Sequence, residues 1–268
     1  MNEQSIIENT PKLRTRASLA EDLKQLGLEP GMTVIVHASL RSIGWISGGA
    51  IAVVQALMDV VTEKGTIVMP THTFPISDPI NMGNPPLPQA WHEEIRETMP
   101  AYDPQITPTA GMGAIVETFR TFPFVVRSSH PIYSMAAWGK DAKKVTANQP
   151  LDYGMGEGSP LARVYEENGK VLFIGTGYST NTSFHLGETR SGVRNKVRNG
   201  APIIENNQRV WKTFEEADLD SDCFEQMGTE FEQQIPVKRG KVGSASSVLL
   251  SQPEAVNFAE NWLLQHVK

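Results

Sequence analysis

The stretch Asn181-Thr-Ser-Phe-His185-Leu-Gly-Glu188 carries the pair of residue types best suited to moving a proton. On a helix His185 and Glu188 stand at i and i+3, which puts imidazole and carboxylate on one face. The helix follows directly on a strand and a loop, so its first turn falls at the carboxyl end of a sheet strand. Open α/β sheets hold their ligands there. A surface helix with an incidental pair shows the same spacing, and spacing alone leaves both readings open.

A second chemical feature lies near the N-terminus. The strand Val34-Ile-Val-His37 runs into the polar loop Ala38-Ser39-Leu40-Arg41-Ser42-Ile43-Gly44, and Gly48-Gly49 opens a long apolar helical segment. Backbone N–H groups at such a junction point outward unpaired, which suits an anion. The loop matches neither the dinucleotide fingerprint nor the P-loop.

Other candidates are weaker. His92-Glu-Glu-Ile-Arg96 has arginine where a zincin needs its second histidine, and Gly177-Tyr-Ser179-Thr-Asn181 ends in asparagine where a nucleophile elbow needs glycine. His130 precedes Pro131, which holds it extended between serines that could satisfy both ring nitrogens. It reads either as a brace or as a functional group, and His37 at its strand end is equally ambiguous. His266 suits the last turn of a terminal helix. One cysteine, Cys223, excludes an internal disulfide and any multi-cysteine metal site, and no metal is expected.

The elements that must position these groups follow from pattern. Ser18-Leu-Ala-Glu21 reads as a capping box for a helix ending at Gly27. Strands at Thr33–His37 and Thr66–Met69 flank a helix from Ala50 to Lys64, a βαβ unit. From Pro70 to Pro108 nine prolines leave only Gln89–Thr98 for a helix, and the aromatic content argues for an ordered flap over a site. Then come a helix over Gly111–Phe122, strands near Val125 and Ser134–Trp138, a helix capped by Ser159-Pro160, and a buried strand at Lys170–Ile174. Thr180 or Asn181 caps the His185 helix. A hairpin over Pro202–Phe214 turns at Asn206-Asn207, Cys223 falls in an acidic helix, and Ser251 with Glu254 boxes the last helix. The expectation is a single α/β domain with a mixed central sheet flanked by helices, over residues 15–268, the flap at 70–108 lying within it. Residues 1–14 form a flexible arm.

With 268 residues, 40% of them hydrophobic, the chain can bury a substantial core. A net charge of −6 speaks against a nucleic-acid partner and is compatible with a cationic small molecule. Neither a signal peptide nor a membrane-length apolar run is present, so a cytoplasmic location without membrane partner is expected.

Taken in order, these motifs resemble the aminoglycoside 3-N-acetyltransferases, a family with its own α/β fold. The matching segments are Val34–Gly44 with Trp45-Ile-Ser-Gly-Gly49, Gly65-Thr-Ile-Val-Met-Pro-Thr71, Ile76-Ser-Asp78-Pro79 and Ile106-Thr-Pro-Thr109. They continue through Ser128-Ser-His130-Pro131, Ala136-Ala-Trp-Gly139, Gly156-Glu157-Gly-Ser159-Pro160 and Asn181–Glu188. Gly187 departs from the alanine or serine usual in relatives, and Thr71-His-Thr-Phe-Pro75 departs on the expected substrate side.

The resemblance implies acetyl-CoA as donor, the 3-amine of a 2-deoxystreptamine ring as acceptor, and antibiotic resistance as outcome. It also implies His185 as general base in a direct transfer, with Glu188 orienting the imidazole or binding the cationic substrate. His37, Ala38, Ser39, Leu40, Arg41, Ser42 and Gly44 would hold the pantetheine and pyrophosphate. The backbone N–H groups after His37, or Thr71 and its neighbours, would stabilise the oxyanion, and Thr107 and Thr109 would add hydroxyls along the cofactor. Asp78, Asp152, Glu157 and Glu188 would bind ammonium groups. An acyltransferase for another small amine and a non-enzymatic binding protein on the same fold are the competing readings. A homodimer is compatible with the chain.

Overall fold

Three parallel strands form the middle of a seven-stranded sheet. The computed structural model describes residues 3–83 and 85–267. The strands are β1 (Thr33–Ala38), β2 (Thr66–Pro70), β3 (Val126–Arg127), β4 (Met135–Gly139), β5 (Lys170–Ile174), β6 (Lys196–Glu205), β7 (Gln208–Ala217), β8 (Lys238–Val242) and β9 (Ala245–Ser251). The helices are α1 (Glu3–Glu8), α2 (Arg16–Leu26), α3 (Leu40–Ile43), α4 (Gly49–Val61), α5 (His92–Thr98), α6 (Gly113–Arg120), α7 (Ala142–Thr146), α8 (Pro160–Glu166), α9 (Phe184–Ser191), α10 (Phe224–Gln234) and α11 (Gln252–His266). The sheet order is β3-β4-β2-β1-β5-β9-β8, and β6-β7 form a separate hairpin. β1 pairs in parallel with β2 and with β5, while β4 and β9 close the sheet antiparallel on either side. The mixed α/β sheet expected from the sequence is therefore present.

Apart from Thr33, His37, Thr66 and Lys170 the central strands are apolar, because helices cover both faces. Val34, Val36, Ile67, Met69, Leu172 and Ile174 meet Leu23, Val53, Leu57 and Phe119 of α2, α4 and α6. The alternate residues Ile35 and Val68 meet Val145 and Leu161 of α7 and α8. Val171 and Phe173 pack with Phe231, Trp262 and Leu263 of α10 and α11. No described helix is long and apolar enough to cross a membrane.

Several boundaries differ from expectation for local reasons. The cap of α2 is Thr15 rather than Ser18, since the Thr15 and Ser18 hydroxyls each accept from the other residue's N–H. α4 stops at Val61 because Thr62 takes φ 59°. The His185 helix begins only at Phe184, after a 3₁₀ turn at Tyr178–Thr180, because the Asn181 side chain accepts from the Ser183 N–H and closes its own turn. The hairpin is longer than expected, and Asn206 and Asn207 both adopt the left-handed conformation its tight turn requires. Cys223 is the residue before α10 rather than within it. Ser251 accepts from the Glu254 N–H at the start of α11.

The first 14 residues were expected to be an arm. Among those described, Glu3–Glu8 are helical, the Trp45 N–H donates to Thr10 Oγ1, and Arg14 bridges to Ile46 and donates to Ser244. All of these partners lie far along the chain. The proline-rich segment is likewise pinned. Asn81 donates to the Arg198 carbonyl, Tyr102 N–H to Pro202, and Arg209 to Met99, which fastens it to β6 and β7.

Gly187 has a packing reason. A Cβ built there would stand 2.5 Å from the Val256 carbonyl and 2.9 Å from Ala259 Cβ, where α9 crosses α11. Helix propensity alone favours alanine by ~1 kcal/mol, whereas overpacking costs ~1–3 kcal/mol. Gly187→Ala is therefore expected to lower unfolding free energy in urea, and a stabilised variant would show that the helices separate freely.

Candidate active site

β5 ends at Ile174, and the chain passes through Gly175–Gly177 and the 3₁₀ turn into α9. This carries His185 to the carboxyl ends of β1 and β5. His185 Nδ1 lies 2.7 Å from Glu188 Oε2, and the Glu188 side chain is wholly buried. Arg194 Nε donates to the second oxygen, Oε1, which also accepts the Asp220 N–H at 3.1 Å. A carboxylate so placed draws the imidazole proton onto Nδ1 and leaves Nε2 with its lone pair. His185 Nε2 has no hydrogen-bond partner among the described residues. The ring leans on Phe224 with centroids 4.8 Å apart.

His185 lines a cavity of about 320 Å³ with Val36, His37, Ala38, Pro70, His72, Met112, Val116, Asn181, Thr182 and Phe224. Buried polar atoms without partners are rare in folded proteins. Here His37 Nε2, His72 Nε2 and Asn181 Nδ2 are all such atoms, and all three belong to residues of this one wall. A slim ligand with apolar stretches and a few polar atoms fits that lining. Burial pushes the His37 and His72 imidazoles down to about 3, so both are neutral at pH 7.

A larger cavity, about 850 Å³, shares Gly111 with the first. Phe74, Pro75, Ser77, Asn81, Met82, Ile132, Tyr133, Asn199, Glu216, Asp218 and Leu219 are among its walls. Glu216 is buried; Oε1 accepts from Asn199 Nδ2 at 2.8 Å, and Oε2 has no partner among the described residues. Burial raises the Glu216 carboxyl above its usual range, partly offset by Asn199 and Tyr133.

The residues singled out from sequence divide sharply. His185, Glu188, His37 and Ala38 come together at the narrow cavity, with Glu188 behind the imidazole rather than at the wall. Ser39, Leu40, Arg41, Ser42 and Gly44 do not line it. Ser42 Oγ donates to the Gly175 carbonyl and lies 2.8 Å from Ser39 Oγ, so these hydroxyls tie α3 to the β5 loop. Arg41 is exposed and makes no ion pair among the described residues. Thr71 is spent on structure, its hydroxyl accepting from Arg127 Nε and its carbonyl from Arg127 Nη2 and Ser134. Thr107 Oγ1 accepts the Asp103 N–H, and Thr109 donates its backbone N–H to Glu117 while its buried Oγ1 is unpaired among the described residues.

Three acids expected at the substrate are occupied elsewhere. Asp78 receives both Arg96 nitrogens, at 2.7 and 3.0 Å, and caps the Ile80 N–H. Burial works to raise the Asp78 carboxyl, but the Arg96 and Ile80 hydrogen bonds outweigh it and hold it low. Asp152 accepts the Glu215 N–H, and Glu157 is exposed and paired with Arg190. Glu216 and Asp218 were missed. In β7 exposed Thr213 and Glu215 alternate with buried Phe214 and Glu216, and Asp218 follows directly after the strand. His130 is a brace, accepting from the Ile132 and Tyr133 N–H groups and donating to Leu151; backbone groups, not the adjacent serines, satisfy it. Among the described residues no group of three or more His, Cys, Asp or Glu could hold a metal.

Residues 35–264 match the family model described as aminoglycoside 3-N-acetyltransferase. The chain belongs to that family. Among similar proteins is the aminoglycoside N(3')-acetyltransferase-like protein YokD of Bacillus subtilis, 50% identical over 98% of this chain and 97% of its own. Its crystal structure superposes with a TM-score of 0.96, covering 98% of each chain. A structure of AAC-IIIb in binary complex with CoASH is 32% identical with a TM-score of 0.84, covering 96% of this chain and 98% of its own. AAC-VIa bound to sisomicin is 30% identical with a TM-score of 0.86, covering 96% and 99%. Like these aminoglycoside acetyltransferases, the chain is an acetyltransferase enzyme over essentially its whole length.

The buried histidines make acid sensitivity predictable. His37, His72 and His130 have folded values of about 3, 3 and 4 against an ordinary 6.5. Between these limits the unfolded chain binds more protons, so stability is complete above about pH 6.5 and is lost as pH falls toward 4. Each contributes a slope approaching ~1.4 kcal/mol per pH unit, opposed in part by Glu216, whose raised value acts with the reverse sign. Urea unfolding at pH 7, 6 and 5 should show this decline, and a flat profile would contradict the neutral buried imidazoles.

Proposed function

We propose that the chain transfers the acetyl group of acetyl-CoA to the 3-amino group of the 2-deoxystreptamine ring of aminoglycosides, giving resistance, with His185 as general base in a direct transfer. The observation that carries this reading is the Arg194–Glu188–His185 relay, which leaves one basic nitrogen unpaired at a narrow cavity meeting a larger acid-lined one. The thioester and pantetheine arm suit the narrow cavity, whose orphan nitrogens could meet their amides and carbonyl. A polycationic sugar suits the larger cavity, where Glu216 and Asp218 supply negative charge. The pinned proline-rich segment supplies Phe74, Ser77, Asn81 and Met82 to that wall and so acts as the flap shaping acceptor choice.

The free amine forms its C–N bond to the acetyl carbon as the carbonyl π pair moves onto oxygen. His185 Nε2 takes the surplus proton from the new ammonium. Collapse of the oxyanion breaks the C–S bond, and His185 returns the proton to the departing thiolate. Glu188, held by Arg194, stabilises the imidazolium between these steps. Cys223 supports direct transfer rather than an acyl-enzyme, because burial raises its thiol and it lines neither cavity.

In a thiol-release assay with sisomicin- and gentamicin-type acceptors, folded His185→Ala should lose ~10²–10⁴-fold in kcat. Near-normal kcat would reject the base. Glu216→Gln should instead raise KM for the aminoglycoside ~10-fold or more while leaving KM for acetyl-CoA alone. A panel that turned over only simple monoamines would overturn the acceptor and favour another amine.

A further inference from the structure

His72, so far only one of three unpaired polar groups along the narrow cavity, stands at the seam of the two cavities. Its ring lines the narrow cavity together with His185. Edge-on, it meets Phe74 at 5.5 Å and Tyr133 at 5.8 Å, and both of those rings line the larger cavity. Its carbonyl accepts the Ala110 N–H, fixing the Ala110-Gly111 corner where the cavities join. The residue is 95% buried, and its buried Nε2 has no hydrogen-bond partner among the described residues. His37 shares the narrow cavity, but its ring packs on Phe173 in the core beneath α10 and α11.

A buried imidazole with no internal partner is left unsatisfied unless a ligand supplies one. The group transferred between the cavities has one polar atom that must become charged at this seam, the acetyl oxygen. We propose that His72 is a catalytic residue whose neutral ring N–H donates a hydrogen bond to the acetyl carbonyl oxygen as it becomes the oxyanion. It gives up no proton; the amine proton goes to His185 and then to the thiolate. Neutrality is what the role needs, because an imidazole that stays uncharged can polarise a carbonyl without competing as an acid. The arrangement enforces it: burial disfavours the charged form first, and charge on His185, His37 or His130 or on the nearby Arg127 adds to that. Thus His72 remains a donor even while His185 holds the proton. Asn181, whose Nδ2 is also unpartnered and whose side chain belongs to the same wall, is placed to serve as a second donor.

This inference rests on the acetyl-transfer reading, and the test separates the two. Infrared difference spectra of acetyl-CoA carrying a ¹³C carbonyl, bound to the enzyme without acceptor, should show the carbonyl stretch moved to lower frequency. His72→Phe should bind the same probe with the shift abolished, and His72→Gln, which restores an N–H, should regain part of it. In turnover, His72→Phe should lose ~10²–10³-fold in kcat with both KM values nearly unchanged. His72→Gln should recover at least tenfold of that loss, and the pH profile should keep its limbs. A bound probe with an unshifted carbonyl in the wild type overturns His72 while leaving acetyl transfer standing. So does a His72→Phe enzyme that keeps its kcat. Should His72→Phe fail to fold, the Gln variant decides, because unrestored frequency and kcat in a folded protein are equally fatal. Absence of acetyl-CoA binding by the wild type defeats the transfer reading and this inference with it.

Discussion

The wholly buried Glu188 carboxylate is the constraint on which the site depends. A charge with no exposure is tolerable only if its oxygens are fully engaged, and here Arg194, His185 and the Asp220 N–H engage them. Each partner comes from a different part of the chain: His185 from the same helix, Arg194 from the segment after it, and Asp220 from beyond the hairpin. Satisfying this one anion therefore draws α9, the hairpin exit and the approach to α10 together. The reward in chemistry is a tautomer, since the nitrogen not facing Glu188 is the one that faces the cavity wall.

The surrounding polar groups obey two different rules. Arg127, His130 and Thr71 have their polar atoms used by backbone carbonyls, N–H groups or hydroxyls, and they hold loops against the sheet. His37, His72, Asn181 and Glu216 each keep one buried atom without partner, and each lines a cavity. The first set explains how the frame holds; the second leaves unpaired polar atoms along the cavity walls. Burial keeps the imidazoles of the second set neutral in the narrow cavity, and the larger cavity carries the acids Glu216 and Asp218.

Close packing of glycine supports the same geometry. Gly187 lets α9 approach the α11 backbone, and Gly228 of α10 lies so near Tyr178 that a Cβ would stand 1.9 Å from its ring. Tyr178 opens the 3₁₀ turn that precedes Asn181. The placement of His185 is thus controlled from α10 and α11, helices whose own residues other than Phe224 stay out of the narrow cavity.

Local pattern determined a great deal of this protein. The mainly apolar strands β1, β2 and β5, the Ser159-Pro160 helix start, the Asn206-Asn207 turn and the i, i+3 pairing of His185 with Glu188 all depend on neighbours a few residues apart, and all were legible. Tertiary structure decided what distant neighbours do to a side chain. Nothing near Asp78 in sequence announces that Arg96 will neutralise it, and nothing near Ser39 or Ser42 announces that their hydroxyls will be taken up at the Gly175 loop. Arg194 behind Glu188, Glu216 at the wall of the larger cavity and His72 between the cavities became visible only when the hairpin, the proline-rich segment and the sheet were packed together. The reason is physical: periodicity reports which face of an element is covered, whereas the availability of a polar atom depends on every group that reaches it through space.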